Sequence, residues 1–282
     1  MVGEKMQKQG LIIESNKDYH GYTEAISKSR LAKMEKCPAY FKWCEDNEQE
    51  QTPALIEGSA FHKIVLEPQD FDKEFVIMQN FDRRTKQGKE DYANFIENIG
   101  DKQAITQEQY DMICGMRDSI LQNKYAKVLL QGNVENSMYS IDDLTQEPIK
   151  ARPDCYKIVK DRVLITDLKS CRSAIESDLV RDVAKYGYDL QAYMYTEIAS
   201  KVLQVPKENI DFVFIFCEKT EPYLINVMQA DSYVLQRGEQ LFRKYIGQYH
   251  ECKESGNWYG LNGAYDIINN LSLPQYLMNK GE

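Results

Sequence analysis

The sequence predicts an α/β protein, with a central mixed β-sheet flanked by helices and a mainly helical N-terminal part. Three observations predict it. The first 130 residues carry helical apolar spacing and helix-capping residues. Short apolar segments bounded by polar turns begin near Val134, and beyond Lys169 helical stretches alternate with the apolar run Phe212–Phe216.

Residues 1–22 are polar and predict an irregular arm. Ser27 or Ser29 offers an N-cap for a short helix that Cys37-Pro38 ends, because proline disfavours helical backbone in the residue before it. A second helix is expected over Tyr40–Asp46, and the polar run Glu45–Gln51 reads as a loop. Ala60, Phe61, Ile64, Val65 and Leu66 make Glu57–Leu66 helical, with His62 inside it and Pro68 closing it. Residues 80–90 read as a basic loop. Thr106-x-x-Gln109 has the form of a capping box and opens a helix to about Leu121. Val134–Ser140, Ile149–Ile158 and Val163–Lys169 then read as a three-stranded β-meander. Tyr188–Val202 contains neither glycine nor proline and predicts a helix. Phe212–Phe216 suits a strand buried on both faces, with Tyr223–Met228 as its neighbour. Asp231–Glu254 predicts a last long helix. The expected organisation is one domain over 1–282, comprising a mainly helical part (1–130), a sheet-containing core (131–255) and an irregular tail (256–282).

Composition narrows the function classes. With 282 residues, 43% of them hydrophobic and 28% charged, the chain can bury a sizeable core and is not of disordered type. No stretch approaches the roughly 20 apolar residues that span a bilayer, and the N-terminus lacks the apolar segment of a signal peptide. A cytoplasmic location with no membrane partner is the expectation. The seven cysteines form no Cys-x-x-Cys pair, which argues against zinc or iron–sulfur sites and suits reduced thiols. The net charge of −9 excludes a general electrostatic coat for DNA, so any nucleic-acid surface must be local.

The chemistry concentrates in Val163-Leu-Ile-Thr-Asp-Leu-Lys169. Strand side chains alternate, so Asp167 and Lys169 share one face while Leu168 points to the other. A carboxylate that holds Mg²⁺, beside an ammonium that orients water and stabilises a phosphorane, suits phosphodiester hydrolysis. One carboxylate holds Mg²⁺ poorly, and Asp154 on the preceding strand, its backbone constrained by Pro153, is the second candidate ligand. Glu251-Cys-Lys253 has the same spacing but lies in a helical pattern without a partner acid. Glu135 reads equally as an additional acidic group or as a strand-edge charge.

Arg152-Pro153-Asp154 … Asp167-Leu168-Lys169 resembles the PD-(D/E)xK nuclease signature. Through most of its length the chain resembles the exodeoxyribonuclease VIII (RecE-type) exonucleases of phages and prophages. The matching blocks are Ala25–Leu31 with Cys37–Trp43, Glu57–His62 with Leu66-Glu-Pro68, Arg83–Lys89, and Tyr186–Tyr195. The resemblance implies a restriction-endonuclease-like core. It also implies metal ligation by His62, Asp154, Asp167 and the Leu168 carbonyl, with Lys169 as catalytic lysine and Gln191 and Tyr195 beside the site. Contacts to DNA are expected from Arg83, Arg84, Lys86 and Lys89, and Ser27, Ser29 and Arg30 could bind a terminal phosphate at a helix N-terminus.

The expected function is therefore a Mg²⁺-dependent (or Mn²⁺-dependent) exonuclease on ends of double-stranded DNA. By resemblance alone it would run 5′→3′, form a ring-like homo-oligomer and work in phage-type recombination with a single-strand annealing protein. The alternatives are another PD-(D/E)xK DNA nuclease, RecB-type or endonucleolytic, and a non-catalytic DNA-binding protein of the same fold. The absence of a Gly-x-x-x-x-Gly-Lys-Ser/Thr loop excludes a nucleotide-driven helicase within this chain.

Overall fold

A computed structural model describes residues 7–47 and 51–274. The first part holds β1 (Gly10–Ile12), α1 (Asn16–Gly21), β2 (Ile26–Ser27), α2 (Lys28–Leu31), α3 (Pro38–Asp46), α4 (Pro53–Leu66) and α5 (Phe71–Glu74). It continues with β3 (Phe75–Met78), α6 (Lys86–Ile99), β4 (Gln103–Thr106), α7 (Gln107–Gln122) and α8 (Lys124–Leu129). The second part runs β5 (Asn133–Val134), β6 (Ser137–Ile141), β7 (Pro148–Ala151), β8 (Cys155–Val159) and β9 (Arg162–Cys171). It ends with α9 (Glu176–Tyr186), α10 (Tyr188–Leu203), β10 (Ile210–Glu218), β11 (Ile225–Gln229) and α11 (Ser232–Ser255).

Helix starts follow local chemistry. Side chains of Ser15, Thr52, Thr85, Thr106, Asn123 and Asp231 accept from backbone amides in the first turns of α1, α4, α6, α7, α8 and α11, satisfying donors the helix leaves orphaned. Thr106 and Gln109 make both hydrogen bonds of the capping box. Ser27 stands at the N-cap of α2 but does not cap it. Its hydroxyl lies 3.2 Å from that of Ser29 instead. The expected helix up to Cys37 is α2 continued by a 3₁₀ turn over Ala32–Glu35. Pro38 and Pro53 extend the next two helices upstream of the expected starts, as proline fits a first helical turn. Residues 48–50 of the expected loop lie outside the described residues, as do 1–6 of the arm and 275–282 of the tail.

Among the described residues the strands form three sheets, ordered β1-β6-β7-β2, β11-β10-β9-β8-β5 and β3-β4. The single meander is thereby overturned. Val134–Ser140 splits into β5 and β6, and Ile149–Ile158 into β7 and β8, with the halves in different sheets. The breaks have backbone causes. Glu135 adopts a left-handed conformation (φ 53°) between β5 and β6, and Pro153, which has no amide to donate, stands between β7 and β8. The first half differs from expectation as well. Residues 10–21 of the expected irregular arm hold β1, paired with β6, and α1, capped by Ser15. The latter part of the basic loop is the start of α6, and α6 and the parallel β3–β4 pair were not expected, nor was α9 in the second half.

In the five-stranded sheet β9 and β10 are parallel and the remaining pairs antiparallel. Strand alternation then sorts the core into two layers. Phe212, Phe214 and Phe216 pack with Val163 and Ile165 against the apolar residues of α10 and α11. Leu168, Ile215 and Cys217 face the opposite way, onto Ala60, Phe61 and Ile64 of α4 and Ile113, Met116 and Ile120 of α7. α10 and α11 cross closely at Gly238, where a Cβ would lie 2.1 Å from the carbonyl oxygen of Asp189. No helix among the described residues is long and apolar enough to cross a membrane.

Candidate active site

Register builds the site. Val134 pairs with Cys155 and Cys155 with Thr166, both antiparallel. One residue further along, the same register sets Glu135 beside Asp154 and Asp154 beside Asp167. Three carboxylates thus occupy one cross-strand row at the point where β5 and β8 stop. The Glu135 amide donates to the Asp154 carbonyl (3.2 Å), and the Leu168 amide donates to Asp154 Oδ2 (2.6 Å), which pins the acid to β9. A residue's N–H and C=O leave a strand on the same edge, so the Leu168 carbonyl also opens toward Asp154.

His62 arrives from α4, on the other face of the sheet, and its Nδ1 lies 3.3 Å from Asp154 Oδ1. His62, Glu135 and Asp154 each offer one ligand atom, and these atoms lie within 4.8 Å of one another. Two ligands on opposite sides of one ion, at about 2.1–2.4 Å, stand about 4.2–4.8 Å apart, so the grouping fits a divalent metal. Its electrostatics agree. Burial and the facing Asp154 push Glu135 up to about 7, although Arg152 and His62 pull the other way. A carboxylate crowded by another carboxylate is what a cation relieves. Asp154 is itself buried, which opposes ionisation, but His62, Lys169 and the Leu168 amide together hold it below the ordinary aspartate value. His62 is held above its usual value because Asp154 outweighs the opposing effect of burial.

Asp167 is 1% exposed and forms an ion pair with Lys169 on its own strand face. Its other oxygen accepts from Gln191 of α10. Burial raises the Asp167 carboxyl despite Lys169. Burial disfavours the Lys169 ammonium, yet Asp167 and Asp154 more than compensate and keep it charged. Tyr195 stands one helical turn after Gln191 and lines the same cleft, and burial pushes its hydroxyl well above the usual tyrosine value. Asp167 belongs to this lysine–glutamine grouping and stands outside the compact His62–Glu135–Asp154 cluster.

A cleft of about 430 Å³ opens over the site, lined by His62, Glu135, Asp154, Gln191 and Tyr195 together with residues of α1, α2 and α4. Lys28 and Ser29 of α2 are among the latter, and Ser27 at its N-cap joins them. The Lys28 ammonium donates to the Tyr186 carbonyl (2.8 Å), and burial and the nearby Lys169 bring it down to about 8. Arg30 is not part of this lining. Its guanidinium is held by Glu45 and by the carbonyls of Thr23 and Ala25 at 2.8 and 2.9 Å, which also leaves α2 without a free arginine at its start. Arg83, Arg84, Lys86 and Lys89 do not line the cleft either. Arg83 lies over the Tyr92 ring at 4.6 Å, Arg84 stays exposed near Asp82, and Lys86 and Lys89 ride on α6.

Lys28 is a cleft residue that the sequence reading did not single out; Arg152 entered it only as the first residue of Arg-Pro-Asp, and Glu135 only as one of two open readings. No sequence spacing ties Glu135 to Asp154. Only the β5–β8 register makes them neighbours.

No curated protein matches the sequence. Among solved structures, a Eubacterium rectale protein described as a candidate exonuclease superposes with a TM-score of 0.64 and 16% identity, over 96% of this chain and 100% of its own. That likeness is one of fold. A second structure, SSO0001, reaches a TM-score of only 0.28 at 12% identity, over 70% of this chain and 88% of its own, and carries no argument. The description that does match is "PDDEXK-like domain of unknown function (DUF3799)", over residues 27–270. The carboxylate row, the Asp167–Lys169 pair and a match across most of the sequence lead to one conclusion: the chain belongs to this PDDEXK-like family and carries its PD-(D/E)xK core.

Proposed function

We propose that the protein is a divalent-metal-dependent deoxyribonuclease, an exonuclease that degrades linear double-stranded DNA from its ends in the 5′→3′ direction. The observation that carries this reading is the meeting of the His62–Glu135–Asp154 cluster with the Asp167–Lys169 pair at the end of one sheet. Mg²⁺ is the proposed ion, with Mn²⁺ as a substitute; once bound, it supplies Lewis acidity and a more acidic water. His62, Asp154 and Glu135 would hold it, and Asp167 and the Leu168 carbonyl offer further oxygens. His62 must give up its proton to ligate, because only a neutral imidazole has a lone pair to share. Lys169, kept charged by two carboxylates, acts as a donor that orients the attacking water and stabilises charge growing on phosphate oxygens. Gln191 fixes Asp167, and Tyr195 lines the cleft beside it.

Digestion of end-labelled linear duplex, with 5′-phosphate or 5′-hydroxyl ends and with or without Mg²⁺, tests activity, metal need and polarity together. A closed circle degraded as fast as the linear form would favour the RecB-type or endonucleolytic alternative. Unchanged digestion by Asp167→Ala and Lys169→Ala would displace the site. Absence of any metal binding by calorimetry would favour a non-catalytic DNA-binding protein. A ring-like homo-oligomer and partnership with a single-strand annealing protein, which rest on resemblance to RecE-type exonucleases, complete the proposal, together with a cytoplasmic location expected from the sequence.

A further inference from the structure

Arg152 is a charged group in the cleft that the proposed chemistry leaves unused. Its side chain is 8% exposed, and Nε lies 2.7 Å from Glu135 Oε2. The guanidinium stands over the Tyr19 ring, 5.6 Å from its centroid, so its plane is held by packing. Yet Nε and Nη1 are both buried and neither makes a hydrogen bond, so the contact with Glu135 is an ion pair without hydrogen-bond geometry. A buried guanidinium N–H without an acceptor is costly, of the order of 1–3 kcal/mol, and calls for an explanation. The residue lines the same cleft as His62, Asp154 and Gln191.

Among the described residues Glu135 is the carboxylate paired with Arg152, and Glu135 is also shared with the His62–Asp154 cluster. A carboxylate drawn onto a cation has less charge to offer an arginine. The guanidinium fork suits two oxygens of a phosphate, and no other anion of matching shape is implied by a nuclease cleft. We infer that Arg152 binds a backbone phosphate of the DNA strand in the cleft, next to the phosphate that is cleaved. Glu135 is the link: it holds Arg152 when the cation is absent and frees the fork for substrate when the cation is present. The inference rests on the nuclease reading for its choice of ligand but can fail separately from it.

The test uses the full chain in Ca²⁺, chosen to allow binding with little cleavage, and short duplexes carrying one neutral methylphosphonate at each position in turn. The wild type should lose about tenfold in affinity at one position beside the cleavage site, the order expected of a lost charge-assisted contact. Arg152→Gln should bind less tightly and be indifferent to that same position while keeping its sensitivity elsewhere. A merely structural arginine would weaken binding evenly, and an unaltered position profile in Arg152→Gln overturns the inference. If Arg152→Gln does not fold, as judged by circular dichroism, Arg152→Lys carries the test. It keeps a charge beside Glu135 but lacks the fork, so the penalty at that position should shrink, and an unchanged penalty overturns the inference. A wild type that shows the Arg152-dependent phosphate but cleaves nothing in Mg²⁺ supports the anion site and removes the nuclease reading. Cleavage without any Arg152-dependent position removes the anion site alone.

Discussion

At the end of β9 two side chains of opposite charge stand two residues apart because a strand repeats every second residue. That period makes Asp167 and Lys169 legible from the sequence, and Leu168 likewise as the core residue between them. Glu135 could not be read this way, since its partnership with Asp154, nineteen residues away in the chain, comes from register between strands. Its role can be measured. Glu135→Gln should lower divalent-metal affinity by roughly 10–100-fold in calorimetric titration, the range typical of losing a supporting group at a metal site. It should also leave Arg152 without its ion-pair partner. An affinity equal to that of the wild type would remove Glu135 from the metal site. For Lys169→Met the expected outcome is a fall in cleavage rate of about 10²–10³-fold with metal binding retained, because the lysine is assigned to charge stabilisation rather than ligation. Parallel loss of rate and of metal affinity would contradict that division.

Among the secondary-structure elements, α10 and α11 do the positioning: α10 presents Gln191 and Tyr195 to the site and α11 backs it. Their crossing depends on Gly238, whose missing side chain leaves room for the Asp189 carbonyl. Gly238→Ala is expected to destabilise the protein by about 1–3 kcal/mol through overpacking, despite alanine's better helix propensity. A melting temperature at or above the wild type's would show that the crossing is looser than the geometry indicates. A second tie fastens α11 to the β6–β7 turn. The fully buried Asp142 accepts from the amide and hydroxyl of Thr145 (3.0 and 2.9 Å) and from Arg243. Burial favours its neutral form, but these donors win and hold the carboxyl below the ordinary aspartate value of about 4. A lowered folded-state pKa means that the stabilisation is complete above the unfolded value. It is lost as pH falls through the folded one. Arg243→Met should therefore cost about 3–5 kcal/mol at neutral pH by stranding a buried charge, and less in acid, because without Arg243 the buried Asp142 takes up a proton more readily. Chemical denaturation of both proteins at pH 7 and pH 3 checks this; an equal difference at the two pH values would rule out Asp142 as the cause.

On the scale of the whole molecule, a net charge of −9 must be reconciled with a polyanionic substrate. The proposed ring does so, because only the channel lining needs to be basic. Light scattering should then report a mass that is a multiple of 32.8 kDa, and a strict monomer at micromolar concentration would overturn the ring. With basic residues confined to a local surface, affinity for duplex should fall with salt along a shallow slope. Each phosphate neutralised contributes about 0.9 to that slope. A slope as steep as that of a broad basic coat would mean that the DNA surface extends well beyond the cleft.

The sequence by itself determined the α/β class, the start of α7 through the Thr106–Gln109 capping box, the buried strand Phe212–Phe216, and the pairing of Asp167 with Lys169. These depend on short-range chemistry, where period and capping act within a few residues. Only the tertiary structure decided that the expected meander is two sheets, that Arg30 is spent on Glu45, and that the acid cluster takes in Glu135. Each of these is set by pairing between distant strands and by which partner reaches a charge first. Such contacts leave no periodic trace in the chain, because they depend on where separate elements come to rest.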